Sequence, residues 1–321
     1  MKKIIGITLG DPAGIGPEIL LKGYEKIKNL KNFIPLIIGD IPVIEKNIEN
    51  LRIELNINEV RKKEDIKEDF FNVYSTGIIK NKNFPVGIDS KICGKASFKY
   101  VIDGINLWKK RIIDAIVTLP ISKKAWHLAG YNYSGHTELL AERLNERKYA
   151  MVMIAENYRV LLLTTHIPLK DVFKYLNERY ITEKIKIGYE FLKKLRIKNP
   201  KIGVCGLNPH AGENGVLGKE ENEILKPVIE KIKKEVINIE GPFPADTIFR
   251  KKFDLIIAIY HDQALIPLKT FYFEKLINFT AGIKLLRTSP GHGTAFDIAY
   301  KNKGNPESFI SAYKFVIKCF E

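Results

Sequence analysis

Three of the six histidines in this sequence follow apolar segments of the kind that form buried strands, either directly or after a short turn. His166 follows residues 160–165, His210 follows residues 202–207 after a short turn, and His261 follows residues 255–260. Ligands of open α/β sheets collect at the carboxyl ends of strands, so these imidazoles can converge although they lie far apart in the chain. Three neutral imidazoles leave an open coordination position, as in a catalytic zinc-type site. Taken singly, each histidine could instead hydrogen-bond a loop.

Acidic residues near these histidines suit a supporting role. Asp262 follows His261 directly, Glu213 lies three residues after His210, and Asp246 lies in a Pro- and Gly-containing segment. A carboxylate bonded to the far ring nitrogen fixes the tautomer that binds metal. The alternative for each is turn or helix-cap chemistry.

A second group of residues is suited to anions. Residues 134–138 (SGHTE) open a predicted helix, where exposed N–H groups bind anions, although Ser134 could simply cap that helix. Lys269, Asn278 and Arg287 could clamp phosphate and carboxylate groups, because arginine acts as a bidentate fork. The alternative is that two of these three are solvated surface residues.

Two glycine-rich segments could approach a ligand. Residues 10–18 (GDPAGIGPE) lack the third glycine of a dinucleotide fingerprint and the Gly-Lys-Ser/Thr of a P-loop. Residues 291–299 place His292, Gly293 and Thr294 before a predicted helix, and Asp297 could accept hydrogen bonds from ribose hydroxyls. The alternative is a glycine-rich turn capped by Thr294.

The elements that must position these residues alternate along the chain. Short apolar runs alternate with longer amphipathic ones, which predicts βαβ units around a mostly parallel sheet. Strands are predicted at residues 4–9, 35–39, 115–119, 150–154, 160–165, 202–207, 255–260 and 282–288. Helices are predicted at residues 17–28, 96–110, 136–146, 182–194, 220–234 and 306–315. Residues 41–69 are polar and irregular in period, and residues 80–91 are loop-like.

Length and composition indicate a soluble globular protein of two α/β domains or two lobes. The chain has 321 residues, an apolar fraction of 45 % and a charged fraction of 28 %, with no membrane-spanning apolar run. Its net charge of +15 raises a nucleic-acid-binding alternative, but the lysines are spread over amphipathic segments without a recognition motif. Three widely spaced cysteines predict no disulfide framework and fit a reducing cytoplasm.

Taken together, the motifs resemble those of the 4-hydroxythreonine-4-phosphate dehydrogenase (PdxA) family of pyridoxal phosphate biosynthesis. The blocks occur in the family's order and at its spacings, and the resemblance covers essentially the whole chain. They are residues 10–18, 134–138, 208–213, 241–249, 260–263 and 287–299. One block has little specificity, whereas agreement across several is highly specific. The chain departs from many members at Gly291, where they carry Asp, and at Tyr300, where they carry Gly.

The resemblance implies a two-lobed α/β/α fold like that of isocitrate and isopropylmalate dehydrogenases, with the active site in the cleft between the lobes. The discontinuous first lobe is expected to comprise residues 1–125 and 280–321 on the cofactor side. The second lobe, residues 126–279, is expected to carry the metal, substrate and dimer contacts. The family also implies a homodimer whose active sites use residues of both subunits.

The resemblance also implies roles for individual residues. The metal ligands are expected to be His166, His210 and His261, and the substrate contacts His136, Thr137, Lys269, Asn278 and Arg287. His292, Gly293, Thr294 and Asp297 are the expected cofactor contacts, and Asp297 favours NAD over NADP. One divalent ion is expected per site, zinc first, with magnesium, cobalt and manganese as alternatives. Asp246, Asp262 and Lys269 are candidate catalytic or supporting residues, and Lys269, Asp246 or His136 is the candidate base.

The implied reaction is NAD-dependent oxidation of 4-phosphohydroxy-L-threonine at C3, followed by loss of CO2, in the cytoplasm. The nearest alternative is a paralogous dehydrogenase of threonate or erythronate 4-phosphate. A phosphate acyltransferase shares the broad fold but needs no three-histidine site. The alternative outside enzymes is a basic nucleic-acid-binding protein.

Overall fold

The computed structural model describes residues 2–235 and 237–321 and has an α/β architecture. The strands are β1 (Lys3–Thr8), β2 (Phe33–Ile38), β3 (Ile57–Glu59), β4 (Phe71–Tyr74), β5 (Ala115–Thr118), β6 (Ala150–Ala155), β7 (Tyr158–Leu162), β8 (Ile202–Cys205), β9 (Ile239–Phe243), β10 (Leu255–Ala258), β11 (Ile277–Ala281) and β12 (Arg287–Pro290). The α-helices are α1 (Gly16–Tyr24), α2 (Ile41–Leu51), α3 (Lys91–Lys109), α4 (Lys123–Leu128), α5 (His136–Leu144), α6 (Glu178–Lys194), α7 (Lys226–Lys233), α8 (His261–Tyr272) and α9 (Glu307–Lys318).

The chain forms two compact units, and the first is discontinuous. The first unit comprises residues 1–145 and 284–321, and the second comprises residues 146–283. The sequence placed the divisions after residues 125 and 279 instead. The difference at the first division arises because α4 and the following residues pack on α3: the ring of Phe98 stacks on Tyr131 with centroids 3.7 Å apart. The indole of Trp126 donates a hydrogen bond to Ser97 in the same helix.

The first unit contains a parallel sheet with strand order β3-β4-β2-β1-β5-β12. The central strands β1, β2 and β5 are buried almost throughout, as expected for strands covered on both faces by helices. Their branched apolar side chains form the core of this unit. All the strands run in one direction, so the loops after β1, β5 and β12 begin at the same edge of the sheet.

The second unit contains a mixed sheet with strand order β11-β6-β7-β10-β8-β9. The pairs β11–β6 and β6–β7 are antiparallel, whereas β7, β10, β8 and β9 are parallel. The strands β10 and β8 are wholly buried. Gly188 of α6 allows close packing on this sheet, because a Cβ at that position would lie 2.5 Å from Leu255.

Helix starts follow the capping chemistry of their sequences. The side chains of Ser90, Ser122 and Asn177 accept hydrogen bonds from backbone N–H groups at the starts of α3, α4 and α6. Proline lies in the first turn of α1 and α2, where its missing N–H costs nothing. None of the helices in the described ranges is both long and apolar enough to cross a membrane.

Several predicted elements differ from the observed ones. Residues 41–69, read as irregular, contain α2 and β3, and a strand predicted at 282–288 is replaced by β11 and β12 on either side of a connection. The helix predicted after Thr294 is instead a series of turns, and α9 begins at Glu307. Residue 236 lies outside the described residues.

Candidate active site

The three candidate metal ligands lie at the same edge of the second unit's sheet. The strands β7, β10 and β8 are adjacent and parallel, with β10 between the other two. His166 follows the carboxyl end of β7, His261 follows that of β10, and His210 follows that of β8. Because neighbouring strands lie about 4.8 Å apart, the topology brings all three loops to one short stretch of sheet edge.

His166 and His261 are close enough to share a ligand. Their ring centroids are 5.7 Å apart and the ring planes are inclined by 45°. An imidazole nitrogen lies about 2.0–2.1 Å from a bound zinc ion, so two rings on one tetrahedral ion have centroids roughly 5 Å apart. The Nδ1 atom of His261 lies 2.7 Å from Oδ1 of Asp262. This contact leaves Nε2 of His261 as the nitrogen available to a metal.

A buried amide holds the ends of these strands together. Oε1 of Gln263 accepts a hydrogen bond from the backbone N–H of Ile259, and its Nε2 donates to the carbonyl of Gly206, both at 2.8 Å. The hydroxyl of Thr164 donates to the carbonyl of Ile259 at 2.8 Å. These bonds connect the carboxyl ends of β7, β10 and β8, so the loops that carry the histidines leave from a common, rigid base.

His210 lies on an unusual loop after β8. Residues 210–214 all have left-handed backbone conformations, with φ between 41° and 76°, and only one of them is glycine. Each non-glycine residue in that conformation costs about 1–2 kcal/mol. The buried carboxylate of Glu221 holds the start of the loop by accepting from the N–H groups of Leu207 and Asn208 at 2.8 and 2.7 Å. Nδ1 of His210 lies 3.9 Å from Glu213, beyond hydrogen-bond distance.

The described part of the chain brings two of the three histidines into contact and leaves the triad incomplete. Within residues 2–235 and 237–321, no three His, Cys, Asp or Glu side chains are grouped closely enough to hold a metal ion. The donor chemistry nevertheless fits a divalent ion, because His166 and His261 have the required ring separation and Asp262 orients one of them.

Two acidic candidates line a cavity in the second unit. Asp246 and Asp262 border a cavity of about 630 Å³ together with Tyr260, and the aromatic ring of Phe249 and the aliphatic side chain of Ile266 form part of its wall. Asp246 is exposed in a turn after β9. Asp262 therefore connects the wall of this cavity to the ring of His261.

Two expected substrate contacts belong to the second unit. Lys269 is exposed in the last turns of α8. Asn278 lies on β11 opposite Met153 of β6, and its Oδ1 atom is buried without a hydrogen-bond partner in the described chain. A buried amide oxygen without a partner is costly, so this atom is suited to accepting a hydrogen bond from a ligand.

The other expected substrate contacts belong to the first unit, where Arg287 is buried at the start of β12. Its side chain is 2 % exposed, and Nε and Nη2 donate to the Thr118 hydroxyl at 3.0 and 2.8 Å. Burial lowers the pKa of Arg287 to about 10, an effect that the carboxylate of Glu138 opposes. Arg287 therefore remains a cation at neutral pH.

His136 and Thr137 begin α5, whose N-cap is Gly135 rather than Ser134 and provides no side-chain hydrogen bond. Thr137 is buried, and the His136 ring packs edge-on against Trp126 with centroids 5.7 Å apart. Nε2 of His136 is buried without a hydrogen-bond partner in the described residues. Burial, together with the charges of Arg287 and Lys123, holds the pKa of His136 well below its usual range. The imidazole is therefore neutral.

Two candidate functional residues near the carboxyl edge of the first unit's sheet were not identified from the sequence. Lys123 begins α4 shortly after β5 and acts on His136 through its charge. Asp11 follows β1 and is fully buried. Burial raises the pKa of Asp11 to about 7, a hydrogen bond from the Ala13 N–H opposes this, and the charge of Asp89 adds to it. Their positions just after strands were the available signal.

The expected cofactor segment lies against the first glycine-rich loop. The carbonyl of Thr294 accepts from the N–H of Ile15 at 2.9 Å, and a Cβ at Gly14 would lie 2.9 Å from that carbonyl oxygen. The Tyr300 hydroxyl donates to the carbonyl of Pro12 at 2.9 Å, and Tyr300 itself has a φ of 59°. Gly14 therefore permits a close approach that any side chain would prevent.

The remaining cofactor candidates are more accessible. Nδ1 of His292 lies 3.0 Å from the carbonyl of Gly293, and no heavy atom lies within 4 Å of where a Cβ on Gly293 would be. Asp297 is exposed, and its backbone carbonyl accepts a hydrogen bond from Lys301. The structure thus groups these residues in one segment with space beside it.

Known proteins resemble this chain over nearly its whole length. Relatives include a 4-hydroxythreonine-4-phosphate dehydrogenase of Sulfurihydrogenibium sp. (strain YO3AOP1), 40 % identical over 98 % of this chain and 97 % of its own. A D-threonate 4-phosphate dehydrogenase of Cupriavidus necator is 37 % identical over 97 % of this chain and 95 % of its own. The crystal structure of a 4-hydroxythreonine-4-phosphate dehydrogenase from Klebsiella pneumoniae covers 100 % of both chains, with a TM-score of 0.88 and 33 % identity.

These findings confirm the predicted fold class and the expected enzyme class, an oxidoreductase. The family model described as "Pyridoxal phosphate biosynthetic protein PdxA" matches residues 31–316. That match includes the three histidine loops, α5, Arg287 and the 291–300 segment. On this basis the chain is a member of the PdxA family.

Proposed function

We propose that this chain oxidises 4-phosphohydroxy-L-threonine at C3 with NAD as the acceptor. The product, 2-amino-3-oxo-4-phosphooxybutanoate, then loses CO2 to give 3-amino-2-oxopropyl phosphate in pyridoxal phosphate biosynthesis. The observation that carries the proposal is the pairing of His166 with His261 at the carboxyl edge of adjacent parallel strands, with Asp262 orienting one ring. Relatives with this name support the substrate.

His166, His210 and His261 would hold one divalent ion, zinc first, with magnesium, cobalt or manganese as alternatives. Such an ion, when bound, acidifies an alcohol and stabilises negative charge on oxygen, which serves both oxidation and decarboxylation. His136, Thr137 and Arg287, with Lys269 and Asn278, would bind and orient the substrate. Asp246 and Lys269 are the candidates for taking up the proton of the C3 hydroxyl, and Asp262 keeps His261 in its ligating tautomer.

The cofactor would lie along His292, Gly293, Thr294 and Asp297. The exposed carboxylate of Asp297 can accept hydrogen bonds from ribose hydroxyls and repels the 2′-phosphate of NADP, which favours NAD. Gly14 lets the Thr294 backbone pack closely on the first loop, so the segment is held in place. Replacement of Asp297 by Ser should raise the KM for NAD and reduce the preference over NADP.

A homodimer in the cytoplasm is the proposed state of the protein. Large apolar side chains are exposed on the second unit: Val216, Ile266, Phe271 and Phe273 are 79, 64, 76 and 55 % exposed. Exposed apolar patches mark interaction surfaces, and a second copy would complete an active site that uses residues of both subunits. Mixing inactive His210→Ala and His261→Ala proteins should restore up to about a quarter of the activity if the ligands come from different subunits.

The central experiment supplies purified protein with zinc, NAD and 4-phosphohydroxythreonine and measures NADH. Turnover should disappear after exhaustive chelation and return with added metal, and His210→Ala should lose both metal binding and turnover. Full activity in the chelated enzyme would contradict the metal-centred proposal. Stoichiometric metal would also argue against an acyltransferase.

D-threonate 4-phosphate is the second candidate substrate, because relatives with that specificity in their names are about as similar to this chain. It carries a hydroxyl where phosphohydroxythreonine carries an amino group. A comparison of kcat/KM on the two substrates decides between them. Erythronate 4-phosphate belongs in the same assay. Binding to nucleic acid that survives physiological salt would instead favour the non-enzyme alternative.

A further inference from the structure

We propose that Lys123 completes an anion site in the first unit with His136 and Arg287, and that this site holds the phosphate of the substrate. Phosphate is the doubly charged group of the proposed substrate, so its negative charge requires the most compensation by positive groups of the protein. The inference rests on the proposed function for the identity of the ligand, but its geometry belongs to the first unit alone.

The position of Lys123 is fixed by the start of α4. Ser122 caps this helix by accepting from the N–H of Ala125 at 3.1 Å, and its hydroxyl also donates to Asp89. The aliphatic part of Lys123 extends towards the start of α5, since a Cβ on Gly135 would lie 3.8 Å from its Cε atom. The lysine therefore reaches from the first turn of one helix to the N-terminus of the next.

The neighbouring lysine behaves differently. Nζ of Lys124 lies 3.5 Å from the carboxylate of Asp89, which accounts for its charge. The side-chain ammonium of Lys123 makes no hydrogen bond or ion pair with any residue in 2–235 or 237–321. The two adjacent lysines of α4 thus differ in that only Lys124 is paired with a carboxylate of the described chain.

Of the charges in the described chain that act on His136 and Arg287, two are positive and one is negative. The cations of Lys123 and Arg287 both act on His136, and Glu138 is the carboxylate that acts on Arg287. The N-terminus of the nine-residue helix α5 adds the favourable end of a helix dipole, and Gly135 provides no side-chain cap for its N–H groups. A dianion would balance these charges.

A buried ring nitrogen without a partner independently points to a ligand at this site. Nε2 of His136 is buried and has no hydrogen-bond partner in the described chain, although buried ring nitrogens are normally satisfied. The neutral imidazole can donate from Nε2 to a phosphate oxygen without adding charge. Lys123, Arg287, the α5 N–H groups and this nitrogen together supply donors of the kind that phosphate requires.

The test compares Lys123→Met with the matched control Lys124→Met. Binding of inorganic phosphate to the full-length protein is measured by calorimetry. Binding of acetate, which represents the carboxylate of the substrate, is measured in parallel. Lys123→Met should weaken phosphate binding about 10- to 100-fold and leave acetate binding nearly unchanged. Lys124→Met should bind phosphate like the wild type. A parallel loss of acetate binding would indicate that the site binds the carboxylate of the substrate, and it would overturn the phosphate assignment.

Kinetics provide the second readout. Lys123→Met should raise the KM for the phosphorylated substrate by about the same factor as the loss of phosphate affinity, with kcat changed far less. Lys123→Arg should recover part of the affinity. Wild-type phosphate binding by Lys123→Met, or equal losses in both methionine variants, would overturn the inference.

The phosphate measurement needs no turnover, so the two proposals can fail separately. A wild-type protein that binds phosphate through Lys123 but oxidises neither candidate substrate would refute the proposed function and retain the anion site. An active enzyme with unchanged phosphate binding in Lys123→Met would refute only the site. If Lys123→Met does not fold, Lys123→Gln takes its place in both measurements.

Discussion

The guanidinium of Arg287 and the hydroxyl of Thr118 are joined by two hydrogen bonds that end on the same oxygen. Arg287 begins β12 and Thr118 ends β5, so this contact ties a buried cation to the neighbouring parallel strand. Because the buried guanidinium of Arg287 keeps its proton at neutral pH, its orientation depends on such fixed acceptors. Thr118 thus helps to set the direction in which Arg287 presents its other donors.

Replacement of Thr118 by Val should reduce both stability and substrate affinity. The hydroxyl oxygen is lost, and leaving donors of a buried cation unsatisfied costs about 1–3 kcal/mol. Denaturant unfolding should show that loss, and the KM for the phosphorylated substrate should rise. The matched control is Thr8→Val, since Thr8 is the register partner of Thr118 on β1 and its buried hydroxyl has no partner in the described chain. Equal destabilisation of both variants would contradict the argument.

The buried carboxyl of Asp11 should make stability fall as the pH rises. Its pKa is about 7 in the folded protein against 3.8 for the free side chain, so the unfolded chain releases this proton first. Between those two pH values the folded state binds more protons than the unfolded state, and its stability decreases with increasing pH. Asp11→Asn should remove that decrease. The free energy of unfolding of the variant, relative to that of the wild type, should therefore be higher at pH 8 than at pH 4 by on the order of 2–4 kcal/mol.

The measurement for Asp11 is the free energy of urea unfolding at a series of pH values. The exposed Asp69 supplies the control, and Asp69→Asn should follow the wild-type curve. If the curve of Asp11→Asn runs parallel to that of the wild type over pH 4–8, the carboxyl is not held in its neutral form.

His136 should have the opposite influence on stability. The unfolded chain takes up a proton on this imidazole below pH 6.5, whereas the folded protein resists protonation to a much lower pH. Stability contributed by the neutral ring is therefore full above pH 6.5 and lost as the pH falls below it. The stability difference between wild type and His136→Asn should shrink on acidification, and His127→Asn, at an exposed position of α4, should show no such trend. A constant difference would show that His136 titrates normally.

The strands that precede the three candidate metal ligands could be predicted from the sequence, because buried strands are visible in it. The runs before His166, His210 and His261 are buried parallel strands, and such strands read as continuous apolar segments. The strand order was not visible: that β10 lies between β7 and β8 follows from packing of the whole unit. The strained loop of residues 210–214 was also hidden, because left-handed conformations are unexpected for His, Ala and Glu.

The residues of the proposed anion site could not be grouped from the sequence. The charge of Lys123 acts on His136. The segment between α4 and α5 is held on α3 by the stack of Phe98 on Tyr131, which no local spacing reveals. The strand predicted at residues 282–288 failed for a similar reason. An apolar run there serves the connection between β11 and β12, and periodicity cannot distinguish a buried connection from a short strand.

Asp262 should control metal affinity without contacting the ion. Its Oδ1 lies 2.7 Å from Nδ1 of His261, and carboxylates in this position fix the tautomer and increase the basicity of a ligating imidazole. Asp262→Asn should therefore weaken zinc binding by about 10- to 100-fold, measured by competition with a chromophoric chelator. Glu213→Gln is the matched control, because 3.9 Å separates its carboxylate from His210 and little affinity should be lost. Equal losses in both variants would mean that general negative charge, rather than the directed contact on His261, holds the metal.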